Sequence, residues 1–80
     1  MEAKKVLRKM EVLKNEAKNR GFEVVKVGGR SLIVRGTAFT DEDLTALSRA
    51  IGSRIGFSVV PVKPNEADVV PKVEILLVME

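Results

Sequence analysis

Lys4, Lys5, Arg8 and Lys9 place four cations within six residues near the start of the chain, and Lys14 and Lys18 continue the series. Cations at this spacing are suited to phosphate contact, since each can neutralise a backbone phosphate and release its counterions. Their position is unusual. The amino end of a helix carries a positive partial charge that favours anions, and a helix built only for stability would reverse the order. We therefore read Lys4, Lys5, Arg8, Lys9 and Lys18 as contacts to nucleic acid, DNA or RNA. The plain alternative for such a run is a solvated face with a biased charge sign.

For catalysis the inventory is thin. The chain has no histidine and no cysteine, so Ser31, Ser48, Ser53 and Ser58 lack the commonest activating base, and no thiolate metal site can form. Gly28-Gly29-Arg30-Ser31 lacks the GxxxxGK[ST] spacing and precedes a strand, so it reads as a hairpin turn and not as a phosphate loop. Gly52 and Gly56 have three residues between them, which is not the GxxG of a KH domain. Asp41, Glu42 and Asp43 read as a helix start, where carboxylates satisfy the dipole, and not as a divalent-ion site. The sequence thus predicts a protein that is not an enzyme, with no catalytic residue, metal or cofactor.

Eighty residues predict one domain spanning 1–80. Its core is small and no disulfide can reinforce it, which leaves self-association as a further source of stability. No run approaches the ~20 apolar residues of a membrane helix, and the charged amino terminus lacks a signal-peptide core. The expected location is the cytoplasm, with no membrane partner. The formal charge of +3 is uneven: residues 1–20 carry seven cations against three anions, and the other sixty residues seven against eight. With only Phe22, Phe39 and Phe57 as aromatics, a base-stacking platform is disfavoured, and phosphate contacts alone imply weak sequence preference.

The elements that must position these groups follow from periodicity. Ala3, Val6, Leu7, Met10, Leu13 and Ala17 recur at helical spacing, and Gly21 reads as a left-handed cap. FEVVKV and RSLIVRG are strands joined by Gly28-Gly29, which predicts a primed turn with positive φ at both glycines and pairs Val27 with Arg30, Val25 with Leu32 and Glu23 with Val34. Thr40 caps a second helix with the stripe Leu44, Leu47, Ile51 and Ile55, closed by Gly56, while Gly52 permits close packing. FSVVPVK, 57–63, reads as an edge strand because Pro61 cannot donate to a ladder. The segment 64–71 is a loop. KVEILLVME is apolar on both alternating sets and belongs at the sheet centre.

The order αββαββ, with a right-handed crossover, predicts an α+β two-layer sandwich. Its four-stranded antiparallel sheet has strand order 3-4-2-1, with both helices on one face, and the topology is a circularly permuted ferredoxin-like one. Over residues 3–63 the αββαβ order and the glycine after the first helix resemble ring-building modules of secretion machines and the amino-terminal domain of bacterial ribosome maturation factors.

Packing the helices on Val25, Val27, Leu32, Val34, Phe57, Val59, Ile75 and Leu77 would leave Phe22 and several apolar residues on the opposite face. That much apolar surface marks an interaction site. We take Val24, Ile33, Val60, Val62, Leu76 and Val78 as a dimer or partner interface. The reading is a homodimeric nucleic-acid-binding protein, regulatory or packaging in role. The alternative is an assembly module that recognises another protein through the apolar face or an edge of the sheet.

Overall fold

A computed structural model describes residues 2–61 and 72–80. The elements are α1 (Glu2–Asn19), β1 (Glu23–Val27), β2 (Ser31–Gly36), α2 (Asp41–Ile51), β3 (Ile55–Val60) and β4 (Val73–Met79). The sheet order is β1-β2-β4-β3 and every pairing is antiparallel, so the expected order and the central place of β4 both hold. Leu32, Val34, Ile55, Ile75, Leu77 and Met79 point to one face, where they form a single core with Met10, Leu13 and Ala17 of α1 and Leu47 and Ile51 of α2. The two helices therefore share that face.

Local chemistry fixes both helix ends. The Phe22 amide donates to the Ala17 carbonyl and the Gly21 amide to Lys18, closing α1 with Gly21 at φ +90°. That is the paired-bond left-handed stop that glycine adopts without a Cβ penalty. Thr40 caps α2 reciprocally: its hydroxyl accepts from the Asp43 amide, and the Asp43 carboxylate accepts from the Thr40 amide at 2.9 Å. The far end differs from expectation. Gly52, at φ +65°, stops α2, and Gly56 lies inside β3. Stopping there releases Ile55 to start the strand and bury its side chain against the core. Strand β3 accordingly runs two residues earlier than predicted and ends before Pro61.

The β1–β2 register is also corrected. Val27 pairs with Leu32, Val24 with Val34 and Glu23 with Arg35, with a bulge between Val24 and Lys26. The Gly28 amide donates to the Ser31 carbonyl at 2.8 Å, and neither Gly28 nor Gly29 has positive φ. The shift follows from burial. Phe22, assigned by the sequence to the open face, is only 7% exposed, and Val24 packs on the core beside it. Burying a phenylalanine outweighs keeping a regular ladder, and the bulge then returns Lys26 to the open face.

The helices cover the middle of the sheet and not its flanks. Val25, Val27, Phe57 and Val59, expected in the core, are exposed on the two edge strands, and Leu7 of the predicted α1 stripe is exposed too. Val62 and the loop 64–71 lie outside the described residues.

One ion pair ties the helices together. Arg20, just past the end of α1, donates through Nε to Asp43 Oδ1 at 2.8 Å. Partial burial would raise the Asp43 pKa, but the Thr40 amide, Arg20 and the Thr40 hydroxyl together outweigh it and hold the carboxyl below its ordinary 3.8. A depressed carboxyl contributes stability above its unfolded pKa and loses it as pH falls through the folded value. Asp43→Asn should therefore be less stable than wild type at pH 7, by on the order of 1 kcal/mol. Urea titrations between pH 7 and pH 2 should show that gap closing below about pH 4; a constant gap would assign the loss to something other than the charge.

Candidate functional site

The pair Arg20–Asp43 joins the end of α1 to the start of α2, and Lys9, midway along α1, donates through Nζ to Ser53 Oγ just beyond the end of α2. The helices are thus antiparallel, and their dipoles oppose. This arrangement accounts for part of the anomaly at the amino end of α1: Lys9 lies against the carboxyl end of its neighbour, where a cation is favoured. Lys4, Lys5 and Arg8 remain exposed, and no ion pair is found for them among the described residues. Lys18, in the last turn, is about 14 Å along the helix from Lys9 and so stands apart from the opening cluster along the axis.

Tertiary structure adds cations that sequence reasoning missed. Lys5, Lys9, Arg30, Ser53 and Glu80 line a recess of about 170 Å³ whose floor includes Val6 and Met79. Arg30 arrives from the β1–β2 turn, held because its carbonyl accepts from the Met79 amide at 2.8 Å. The Arg54 carbonyl accepts from the Glu80 amide at 3.0 Å, which puts Arg54 at the same end. Lys5, Lys9 and Arg30 therefore converge on one recess, which Glu80 also lines, and with Lys4, Arg8 and Arg54 at the same end of the molecule they make up a basic pole. No periodicity links residues 4–9 to residues 30 and 54, so this grouping had no local signal.

No family model, curated protein or solved structure matches this chain.

The Lys9–Ser53 contact resembles a nucleophile beside a base, but its surroundings do not suit that chemistry. The recess is open and carries the charged side chains of Lys5, Arg30 and Glu80, whereas a lysine base requires a desolvated pocket. Among the described residues no group of three or more acidic side chains could hold a metal ion, and no helix is long and apolar enough to cross a membrane. Asp41 and Glu42 are exposed at the start of α2, where Asp43 is committed to the cap.

The sheet face away from the helices is the second candidate surface. Its register places Ser31, Val78 and Gly56 in one row, then Lys26, Ile33, Leu76 and Ser58, then Glu23, Arg35, Glu74 and Val60. Four of the six expected interface residues, Ile33, Val60, Leu76 and Val78, are brought together here. Val24 is not among them, because its pairing with Val34 turns it towards the helices. Arg35 binds Glu74 at 3.3 Å and approaches Glu23 at 3.9 Å, and its Nε is buried with no acceptor among the described residues.

Proposed function

We propose that this chain is a small non-enzymatic protein that binds nucleic acid through phosphate contacts from its basic pole and acts as a homodimer. We read its architecture as circularly permuted ferredoxin-like and its setting as cytoplasmic. The observation that supports binding is the convergence of Lys5 and Lys9 with Arg30 on one recess, beside the exposed Lys4 and Arg8. Cations from two separate elements meet at one end, and a phosphate chain crossing that end would satisfy them without reading bases. Weak sequence preference and a regulatory or packaging role follow from contacts of this kind.

Fluorescence anisotropy with a DNA duplex and an RNA strand, each over a salt series, tests the reading. The wild type should bind at low salt, with log affinity falling linearly against log salt. Lys4→Ala/Lys5→Ala/Arg8→Ala should bind at least about tenfold more weakly, with a slope shallower by roughly 0.9 per phosphate contact removed. Lys9 is left in place because it holds Ser53. Absence of binding at low salt, or an unchanged slope in the variant, would reject the basic pole as a phosphate surface.

The second reading, an assembly module that recognises another protein, is favoured by the contiguous Ile33, Leu76, Val60 and Val78 on the open face. Recovery of one defined protein partner after nuclease treatment would favour it over nucleic-acid binding.

A further inference from the structure

We infer that the open sheet face packs on a second copy of itself about a two-fold axis parallel to the strands, between β2 and β4, so that both basic poles lie at the same end. The inference rests on the homodimeric part of the reading above and is independent of whether nucleic acid binds.

Charge identifies the occupant. The strands present Glu23, Lys26, Arg35 and Glu74 on this face, two of each sign, with the Glu80 carboxylate beside Gly56 at its edge. A phosphate surface would meet two carboxylates there, whereas an identical face meets an equal number of opposite charges. Register then selects the axis. A two-fold along the strands lays β2 of one copy over β4 of the other, because these are the two central strands. Arg35 then lies over the partner's Glu74, and Glu74 over the partner's Arg35, since the two residues are register partners. Ile33 and Leu76, also register partners, meet in the same way and close an apolar centre of four side chains. The Arg35 guanidinium, already bound to Glu74 in its own chain, gains a second carboxylate. The competing axis, across the strands, would set Lys26 over its own copy and Arg35 over Ser31, losing the charge match.

A two-fold along the strands leaves their ends unexchanged. The amino ends of both α1 helices, together with both Arg30 side chains, therefore face one side and double the cationic surface. The four-stranded face measures roughly 400 Å² in projection per copy, from strand spacing and rise. Standard interfaces bury about 800 Å² per partner, so this dimer falls in the weak class, and about 10–100 μM is the range in which to observe it.

Sedimentation equilibrium without nucleic acid tests the inference. Wild type should pass from monomer to dimer across that range, and Leu76→Asp should remain monomeric. The arrangement is tested by mixing two chains. Arg35→Glu alone and Glu74→Arg alone should each lose at least tenfold in dimer affinity, because like charges then face each other across the axis. Their equimolar mixture should recover a heterodimer, although the Arg35–Glu74 pair within each chain stays broken. Circular dichroism melts of both variants establish that they are folded before mixing. A wild type that is monomeric at 100 μM overturns the dimer, and a mixture that stays monomeric while wild type dimerises overturns this axis.

Discussion

Leu77→Ala is expected to lower the folding free energy by about 3–4 kcal/mol. Leu77 is fully buried in the central strand, with Leu32 of β2 on one side and Phe57 of β3 on the other. Its side chain belongs to the cluster that includes Leu13 of α1 and Leu47 of α2, so truncation opens a void between sheet and helices. A close-packed core refills such a space only in part. Natural domains of this length have total stabilities of about 4–12 kcal/mol, so the variant loses much of its margin. A thermal melt should show the midpoint falling by roughly 15–25 °C. Val78→Ala, one residue along on the open face, serves as the comparison. Val78 is 39% exposed, and its truncation should change monomer stability by no more than about 0.5 kcal/mol. Similar losses at both positions would mean that the two faces of β4 are not distinguished as the structure has them.

Gly36→Val should cost about 3 kcal/mol, although valine is the better strand former. A Cβ built on Gly36 would lie 2.6 Å from Cδ1 and 2.7 Å from Cε1 of Phe22, inside van der Waals contact. The ring has little room to retreat. The residue follows directly on the α1 stop, its amide is bonded to Ala17, and its ring packs 5.6 Å from that of Phe39, which in turn lies 6.1 Å from Phe57. The clash therefore propagates into the aromatic cluster of Phe22, Phe39 and Phe57. A double-mutant cycle isolates the cause. In a Phe22→Ala background the same glycine replacement should cost much less, giving an interaction energy of 1 kcal/mol or more, on the order seen for residues in contact. Equal costs in both backgrounds would place the penalty in the β2 backbone instead.

These positions mark the boundary of what local sequence conveys. The stop at Gly21 and the N-cap at Thr40 were legible because their bonds close within five residues. The central place of β4 was legible because Ile75 and Leu77 alternate with Leu76 and Val78, leaving no polar face to expose. The β1–β2 register was not legible, because Gly28-Gly29 admits more than one turn and the choice depends on Phe22 reaching a space beside Gly36. Both Gly52 and Gly56 can end a helix, and only the burial of Ile55 decides between them. Coverage of Phe57 and Val59 depends on how far two helices reach across four strands, a distance that no single segment encodes. The basic pole was half visible: Lys4 to Lys9 stand together in sequence, while Arg30 and Arg54 join them through the hydrogen bonds of Met79 and Glu80.

The sheet order also constrains when the fold can form. Among the described strands β3 pairs only with β4, and β4 also completes the inner edge of β2, yet β4 follows the other three strands in the sequence. During synthesis α1, β1, β2 and α2 leave the ribosome with their shared apolar surface lacking its middle strand. Local helices and the β1–β2 hairpin can form early, but the domain closes only when residues 73–79 are released and insert between two strands already present. Closure then depends on contacts distant in sequence, which slows it relative to a helical bundle of equal length. A nascent chain halted before residue 73 would hold β3 unpaired, available to chaperones or to the β4 of another chain.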